Sequence, residues 1–333
     1  VKRNYLIFGS IILGGMAVIA LTAYLLLFAP VNPRSEQYLF TISTGSSIST
    51  VIAEMVEDNY LRSQLGGKIA FAFSNTQVVQ PGVFNISPRM NAWQIASVIK
   101  SGETAGTRVT IPEGYSISQI ASRLETSQIT SAREFTQALS EIDKKEYTFL
   151  STTNRQVINP FEGYLFPDTY EFYKGMPAAQ VVQRLLDNFS TRTSGLSSEI
   201  ESSGFTIQQI VTLASLIERE ANNEEDRKLI AGVILNRLDL GMRLDIDASV
   251  RFIFDNWSDP ITSSQLSSSS PYNTRRVAGL PPGPICNPGL AAMKAILNPT
   301  NSDYLYYLTD SDGVTHYATT LDQHNVNKAK YIR

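Results

Sequence analysis

The sequence predicts an α+β protein with a leading apolar helix. Strand-like alternating runs and amphipathic helical runs follow one another without a regular βαβα rhythm. The composition, 43% hydrophobic and 18% charged over 333 residues, is that of a folded chain. The chain also opens on an uncharged apolar run at residues 5–29. Bulk properties exclude several classes. A net charge of −3 argues against a nucleic-acid binder, which needs a basic footprint. One cysteine, Cys286, rules out an internal disulfide or a cysteine-rich metal site. No HExxH, GKS/T or GxGxxG pattern occurs, so no metal or other cofactor is expected.

The run YLIFGSIILGGMAVIALTAYLLLFA follows Val1-Lys2-Arg3-Asn4. A span needs about 20 apolar residues, and basic residues stay on the cytoplasmic side. The expectation is therefore a cytoplasmic tail at 1–4, a transmembrane helix at 5–29 and a single-pass protein with its bulk outside the membrane. A cleaved signal peptide is the other reading of this run. Residues 30–37, PVNPRSEQ, read as a short stiff linker.

YLFTIS then reads as a strand, and Ser49 or Thr50 as the cap of the helix behind it. The pattern returns in TRVTIPEGYSISQIASRLE, where Gly114, Ser116, Ile117 and Ser118 repeat Gly45, Ser47, Ile48 and Ser49 at a constant offset. Between them GVFNISPRMNAWQIASVIKSGE is another strand and a short helix ending at Gly102. Units this small bury little surface alone. From about Ile158 the character changes. FEGYLFPDTYEF is rich in aromatic residues, and helices follow near residues 178–189, 206–220 with Thr206 as its cap, and 224–240, ending before Gly241. A polar loop, SDPITSSQLSSSSPYNT, leads into the Pro/Gly segment GLPPGPICNPG and a short helix. DYLYYLTDSDGVTHYATT reads as a hairpin around Asp312-Gly313, and a last helix closes the chain.

TIQQIVTLASLIERE holds the first candidate for chemistry. At about 100° per residue, Glu218 lies roughly 20° from Ile207, on the apolar face, and Glu220 roughly 160° from Glu218, on the opposite side. Apolar surroundings desolvate a carboxyl and keep it protonated, as a general acid needs. The bland reading is a buried Glu paired with Arg227, Arg237 or Arg243. Glu220 reads as solvated or ion-paired.

Taken in order, LFPDTY, LIERE…GVILNRL, RLDIDASV, SPYNT…GLPPGPICNPG and TTLDQHN resemble the motifs of the MltG/YceG family of endolytic murein transglycosylases. The resemblance covers about residues 38–331. It implies an N-terminal membrane anchor, a LysM-like region at 38–157 and a catalytic domain at 158–333. It implies cleavage of MurNAc–GlcNAc bonds in peptidoglycan glycan strands to leave 1,6-anhydroMurNAc ends. It further implies a location at the bacterial cell (inner) membrane and penicillin-binding-protein synthases as partners.

By position Glu218 matches the family's acid. It would protonate the glycosidic oxygen and then, ionised, take the proton of the C6 hydroxyl. That tethered hydroxyl makes a second carboxylate unnecessary. Asn236 and Asp247 match polar motif positions and suit glycan contact or bracing of the cleft. Tyr272 and Asn273 suit sugar recognition. His324 and Asn325 match the last motif, Asn325 as a glycan contact and His324 as a packing or capping residue. Glu162 and Asp168 read as structural. Arg275 departs from a common aromatic residue, and Asp226 from a common Glu. Two other functions stay open: a non-catalytic peptidoglycan-binding scaffold, and a muramidase-type hydrolase with Asp247 or Asp168 as second carboxylate.

Overall fold

The computed structural model describes residues 2–32, 38–43, 45–76, 79–102, 105–150 and 156–332, with side chains from residue 11 onward. Contacts divide the chain into two units, Val1–Thr107 and Arg108–Arg333. Both mix helices with two-stranded sheets, so the α+β class holds.

The first unit starts with α1 (Lys2–Leu27). Strand β1 (Tyr38–Ile42) pairs antiparallel with β2 (Gly82–Ile86), Phe40 opposite Phe84. Helices α2 (Ile48–Glu57), α3 (Gln64–Phe73) and α4 (Ala92–Ser101) supply the rest of a core built on Ile52, Met55, Phe71, Ile95 and Ile99. The cap of α2 is Ser47, whose side chain accepts from Thr50 N–H, rather than Ser49 or Thr50. Helix α4 stops at Gly102 (φ 67°), as expected. Helix α3 was not foreseen, because its two glycines weaken the helical signal.

The membrane anchor expected at residues 5–29 is corrected here. Among the described residues no helix is long and apolar enough to cross a membrane. Helix α1 also ends at Leu27, so Phe28 and Ala29, which the expected span included, lie outside it. The side chains of residues 5–10 lie outside the described residues. The single-pass topology, the membrane as partner and the inner-membrane location rested on that anchor and are withdrawn with it. The side chains of Lys2 and Arg3, and most of the expected linker, residues 33–37, also lie outside the described residues.

The second unit begins as β3 (Thr107–Thr110) joins β4 (Thr169–Phe172). Helix α5 (Ile117–Thr126) is capped by Ser116, the repeat counterpart of Ser47. Both caps follow a glycine with positive φ, Gly45 at 83° and Gly114 at 79°. Helix α6 (Ala132–Glu141) packs with α7 (Ala178–Thr193), and α8 (Ser197–Ser203) follows. At the centre lies α9 (Ile207–Glu218), capped by a Thr206–Gln209 box and buried on every side from Ile210 to Ile217. Helices α10 (Glu224–Asp239) and α13 (Leu290–Leu297) pack on it. Between them run α11 (Asp247–Phe254) and the short α12 (Ser263–Leu266). The hairpin β5 (Tyr306–Thr309) and β6 (Thr315–Ala318) and the closing helix α14 (Leu321–Tyr331) complete the unit.

The Pro/Gly segment docks on α9 through one hydroxyl. Ser215 Oγ accepts Ile285 N–H at 3.0 Å, and Cys286 Sγ donates to the Ser215 carbonyl. Gly163 lies beneath it with φ +91°; an added Cβ would stand 2.6 Å from Pro284 and 2.7 Å from Val211 Cγ1. Backbone conformation and contact both demand glycine there. Gly163→Ala is expected to cost about 3 kcal/mol, seen in a thermal melt as a fall of roughly 6–12 °C. A midpoint within about 2 °C of the parent would refute this reading of the turn.

Candidate active site

The sequence reading continued the central helix through Glu220. In the structure α9 ends at Glu218, and Arg219 and Glu220 close a tighter turn: Glu220 N–H donates to Ile217 O at 3.0 Å. Helical periodicity therefore stops before Glu220, and the predicted 160° no longer applies. A local signal for this existed. Asn223 caps α10, with its side chain accepting Asp226 N–H, so the preceding helix had to end before it.

Glu218 is buried, as its place on the apolar face predicted; its side chain is 5% exposed. One carboxylate oxygen faces Arg227 Nη2 at 3.3 Å, and the other accepts Gly289 N–H at 2.9 Å. Of the three arginines named as its partner, Arg227 is therefore the one beside it. A third residue was missed by sequence reasoning. Glu113, 3.9 Å from the same guanidinium, has its pKa raised by burial and then by the charge of Glu218. Two carboxyl groups share one arginine, packed so closely on Gly289 that an added Cβ would lie 1.7 Å from Glu113 Oε1. No pattern in the sequence links Glu113 to α9.

Glu220 stands in a different setting. It lines a cavity of about 760 Å³ with Arg219, Asp247, Arg275, Tyr307 and His324 among its neighbours. Tyr307 Oη donates to Glu220 Oε2 at 3.0 Å. Burial pushes the Glu220 carboxyl up to about 7, the Tyr307 hydrogen bond pulls it down, and the charge of Asp247 raises it. Near neutral pH it thus holds a proton about half the time. Arg237 orders the wall behind. It donates to Leu305 O at 2.6 Å and Leu244 O at 2.8 Å, and lies 5.1 Å from the Tyr306 ring centre. His324 stacks on the same Tyr306 ring, with ring centres 5.4 Å apart. Burial, then Arg237 and Lys328, lower its pKa. Its Nδ1 is buried without a hydrogen-bond partner.

The remaining sequence candidates separate. Asp247 lines the cavity and pairs with Arg275 at 2.6 Å, so the residue that departs from an aromatic holds this carboxylate. Asn236 braces a loop, both contacts coming from Nδ2: to Ser302 O at 2.7 Å and Tyr304 O at 3.0 Å. Tyr272 is buried against Phe252, with its hydroxyl accepting Ile158 N–H, and burial raises its pKa to about 12. Asn273 is fully buried and ties Leu266 O and Ser268 O to Arg275 N–H. Asn325 is exposed on α14 and does not line the cavity. Asp226 accepts from Tyr317 Oη at 2.6 Å and Thr315 Oγ1 at 3.0 Å, anchoring the hairpin on α10. Asp168 accepts from Asn188 and Arg192; these contacts outweigh its burial and hold its pKa below the usual value.

A carboxyl poised near neutrality in a polar cavity, beside a phenol and a second carboxylate, is the equipment of an acid–base enzyme. The chain belongs to the YceG-like family, whose family model matches residues 40–330. It is similar to an endolytic murein transglycosylase of Bacillus subtilis, 30% identical over 92% of this chain and 88% of that protein. A second endolytic murein transglycosylase, from Streptococcus pneumoniae, is 26% identical over 91% of this chain and 60% of its own length. Among solved structures, a yceG-like protein from Listeria monocytogenes superposes with a TM-score of 0.61 at 31% identity, covering 88% of this chain and 99% of the other.

Proposed function

We propose that this enzyme, a lytic transglycosylase by its family, cuts murein glycan strands internally in the cavity at the end of α9, with Glu220 as its single acid and base. The observation that carries the reading is the Glu220 carboxyl, raised to about 7 on the wall of the 760 Å³ cavity. The role first expected of Glu218 passes to its neighbour two positions on. Glu218 is enclosed by Arg227 and Gly289 N–H and is absent from the lining of this cavity.

The chemistry balances with one carboxyl. Glu220 gives its proton to the glycosidic oxygen as the C1–O4 bond breaks. The C6 hydroxyl of the same sugar then forms the C1–O6 bond, and its proton returns to Glu220. No water is consumed. The tethered hydroxyl replaces the second carboxylate that a hydrolase needs, through its high effective molarity. Asp247 lines the same cavity, where its charge adds to the rise of the Glu220 pKa and favours the oxocarbenium-like transition state.

Tyr307→Phe removes the hydrogen bond that pulls the Glu220 pKa down. The alkaline limb of the pH–rate profile is expected to move up by about one pH unit; an unmoved limb would separate this phenol from the acid.

Asp247 also supports a second reading, since a second carboxylate in the Glu220 cavity is what a muramidase-type hydrolase uses. Mass spectrometry of digested murein decides between the two. Anhydro ends support transglycosylation, and reducing ends support hydrolysis.

A further inference from the structure

A second cavity, of about 400 Å³, lies between α5 and the loop after α11, lined by Tyr115, Gln119, Ser122, Asp255 and Trp257. No sequence motif pointed to it. Trp257 is half-buried and belongs to neither hydrophobic core. Polar contacts hold its ring instead. The Arg219 guanidinium lies 3.7 Å from the centre of the indole. Trp257 Nε1 donates to Asp255 Oδ1 at 2.9 Å. The same oxygen accepts Ser118 Oγ at 2.7 Å, and Asp255 is itself held in the left-handed region, φ 46°. Gln119 Oε1 accepts both Arg219 Nη2 at 2.7 Å and Ser116 N–H at 3.1 Å. The acceptor end of that amide is thus occupied, and its Nε2 hydrogens are left as donors for a ligand.

An indole fixed on a cavity wall, beside hydroxyl groups and an amide donor, matches one ligand chemistry well. A pyranose ring offers a flat C–H face for the indole and equatorial hydroxyl and acetamido groups for the polar rim. Arg219 links this cavity to the first. It lines the Glu220 cavity while its guanidinium covers Trp257. A chain of sugars leaving Glu220 past Arg219 therefore meets the indole.

We propose that the Trp257 cavity is a second saccharide subsite, which takes an N-acetylated sugar of the strand beyond those held at Glu220. The inference rests on the glycan reading above. It gives the enzyme a reason to act within long strands, because remote binding energy holds the strand across the cut.

Two readouts separate the subsite from the reaction. The first is calorimetric binding of chitohexaose, which needs no turnover. Trp257→Ala is expected to weaken it about tenfold, and Trp257→Phe to stay within about threefold of the parent. Ser122→Trp, on the exposed face of α5, fills the groove without touching the indole's supports and is expected to match the alanine loss. It also stands in should Trp257→Ala fail to fold. Equal affinity in the parent and both disruptive variants overturns the subsite. The second readout is KM and kcat on uncross-linked murein strands, where the alanine variant should raise KM about tenfold and leave kcat unchanged. Trp257-dependent binding without any cleavage by the parent keeps the subsite and removes the transglycosylase reading. Anhydro products with KM unchanged in the variants keep the transglycosylase and remove the subsite.

Discussion

Glu220→Gln lowers strand cleavage by about 10³-fold or more, with circular dichroism and melting temperature close to the parent. The amide keeps the shape and can still accept from Tyr307, but it has no proton to give the glycosidic oxygen. Because burial raises the parent carboxyl to about 7, the acid form is lost as pH rises through neutrality. Parent turnover therefore falls on the alkaline side of about pH 7, and the residual rate of the Gln variant is flat there. Glu218→Gln separates the two glutamates. It keeps one acceptor for Gly289 N–H and removes the charge facing Arg227. The expected outcome is a loss of stability with anhydro products still formed. Abolished cleavage in a folded Glu218→Gln protein, with Glu220→Gln active, would return the acid's role to Glu218.

The second large effect is on stability. Glu162 is buried, and both its oxygens accept Ile117 N–H at 3.2 Å at the start of α5. Asn287 Nδ2 donates to it at 3.1 Å, while Asn287 Oδ1 accepts Leu165 N–H at 2.8 Å. One carboxyl thus joins α5 to the aromatic turn and the Pro/Gly segment. Glu162→Ala strands two buried donors and opens a void, at an expected cost of about 4 kcal/mol at pH 5. Burial, the largest influence on this group, raises its pKa to about 8 from an ordinary 4.5. The folded protein then holds a proton that the unfolded chain releases, so this group's contribution is complete below about pH 4.5. It is lost as pH rises through 8. Denaturant melts should accordingly show the parent losing stability between pH 5 and 8 more steeply than the variant, with the gap between them narrowing. A gap that is constant or widens with pH would refute the assignment.

Local features were legible because their causes are local. The Thr206 cap, the glycine ends at Gly102 and Gly241 and the hairpin around Asp312-Gly313 each depend on a few consecutive residues. Ser47 was passed over as a cap although its counterpart Ser116 lay in plain view of the repeat. The burial of Glu218 followed from helical periodicity and was right. Burial alone does not assign the acid's role, because an apolar face can enclose an ion pair as readily as an acid. Tyr272 and Asn273 show the same limit. An aromatic ring beside an amide suits sugar binding in a sequence, yet both side chains are buried, Tyr272 against Phe252 and Ile158 N–H and Asn273 on the carbonyls of its own loop.

By itself the sequence determined the α+β class, most of the helices and, through its ordered motifs, the family. Those are properties of short windows and of their order along the chain. Only the tertiary structure decided which glutamate meets the cavity. That choice turns on where α9 stops, on Arg227 closing over Glu218, and on Tyr307 arriving from a strand 87 residues further on to meet Glu220. It also brought Glu113 to Arg227 and Trp257 to Arg219. The physical reason is common to all of these. Burial and charge at a site are set by groups distant in sequence, and no periodicity within a window records which of them will arrive.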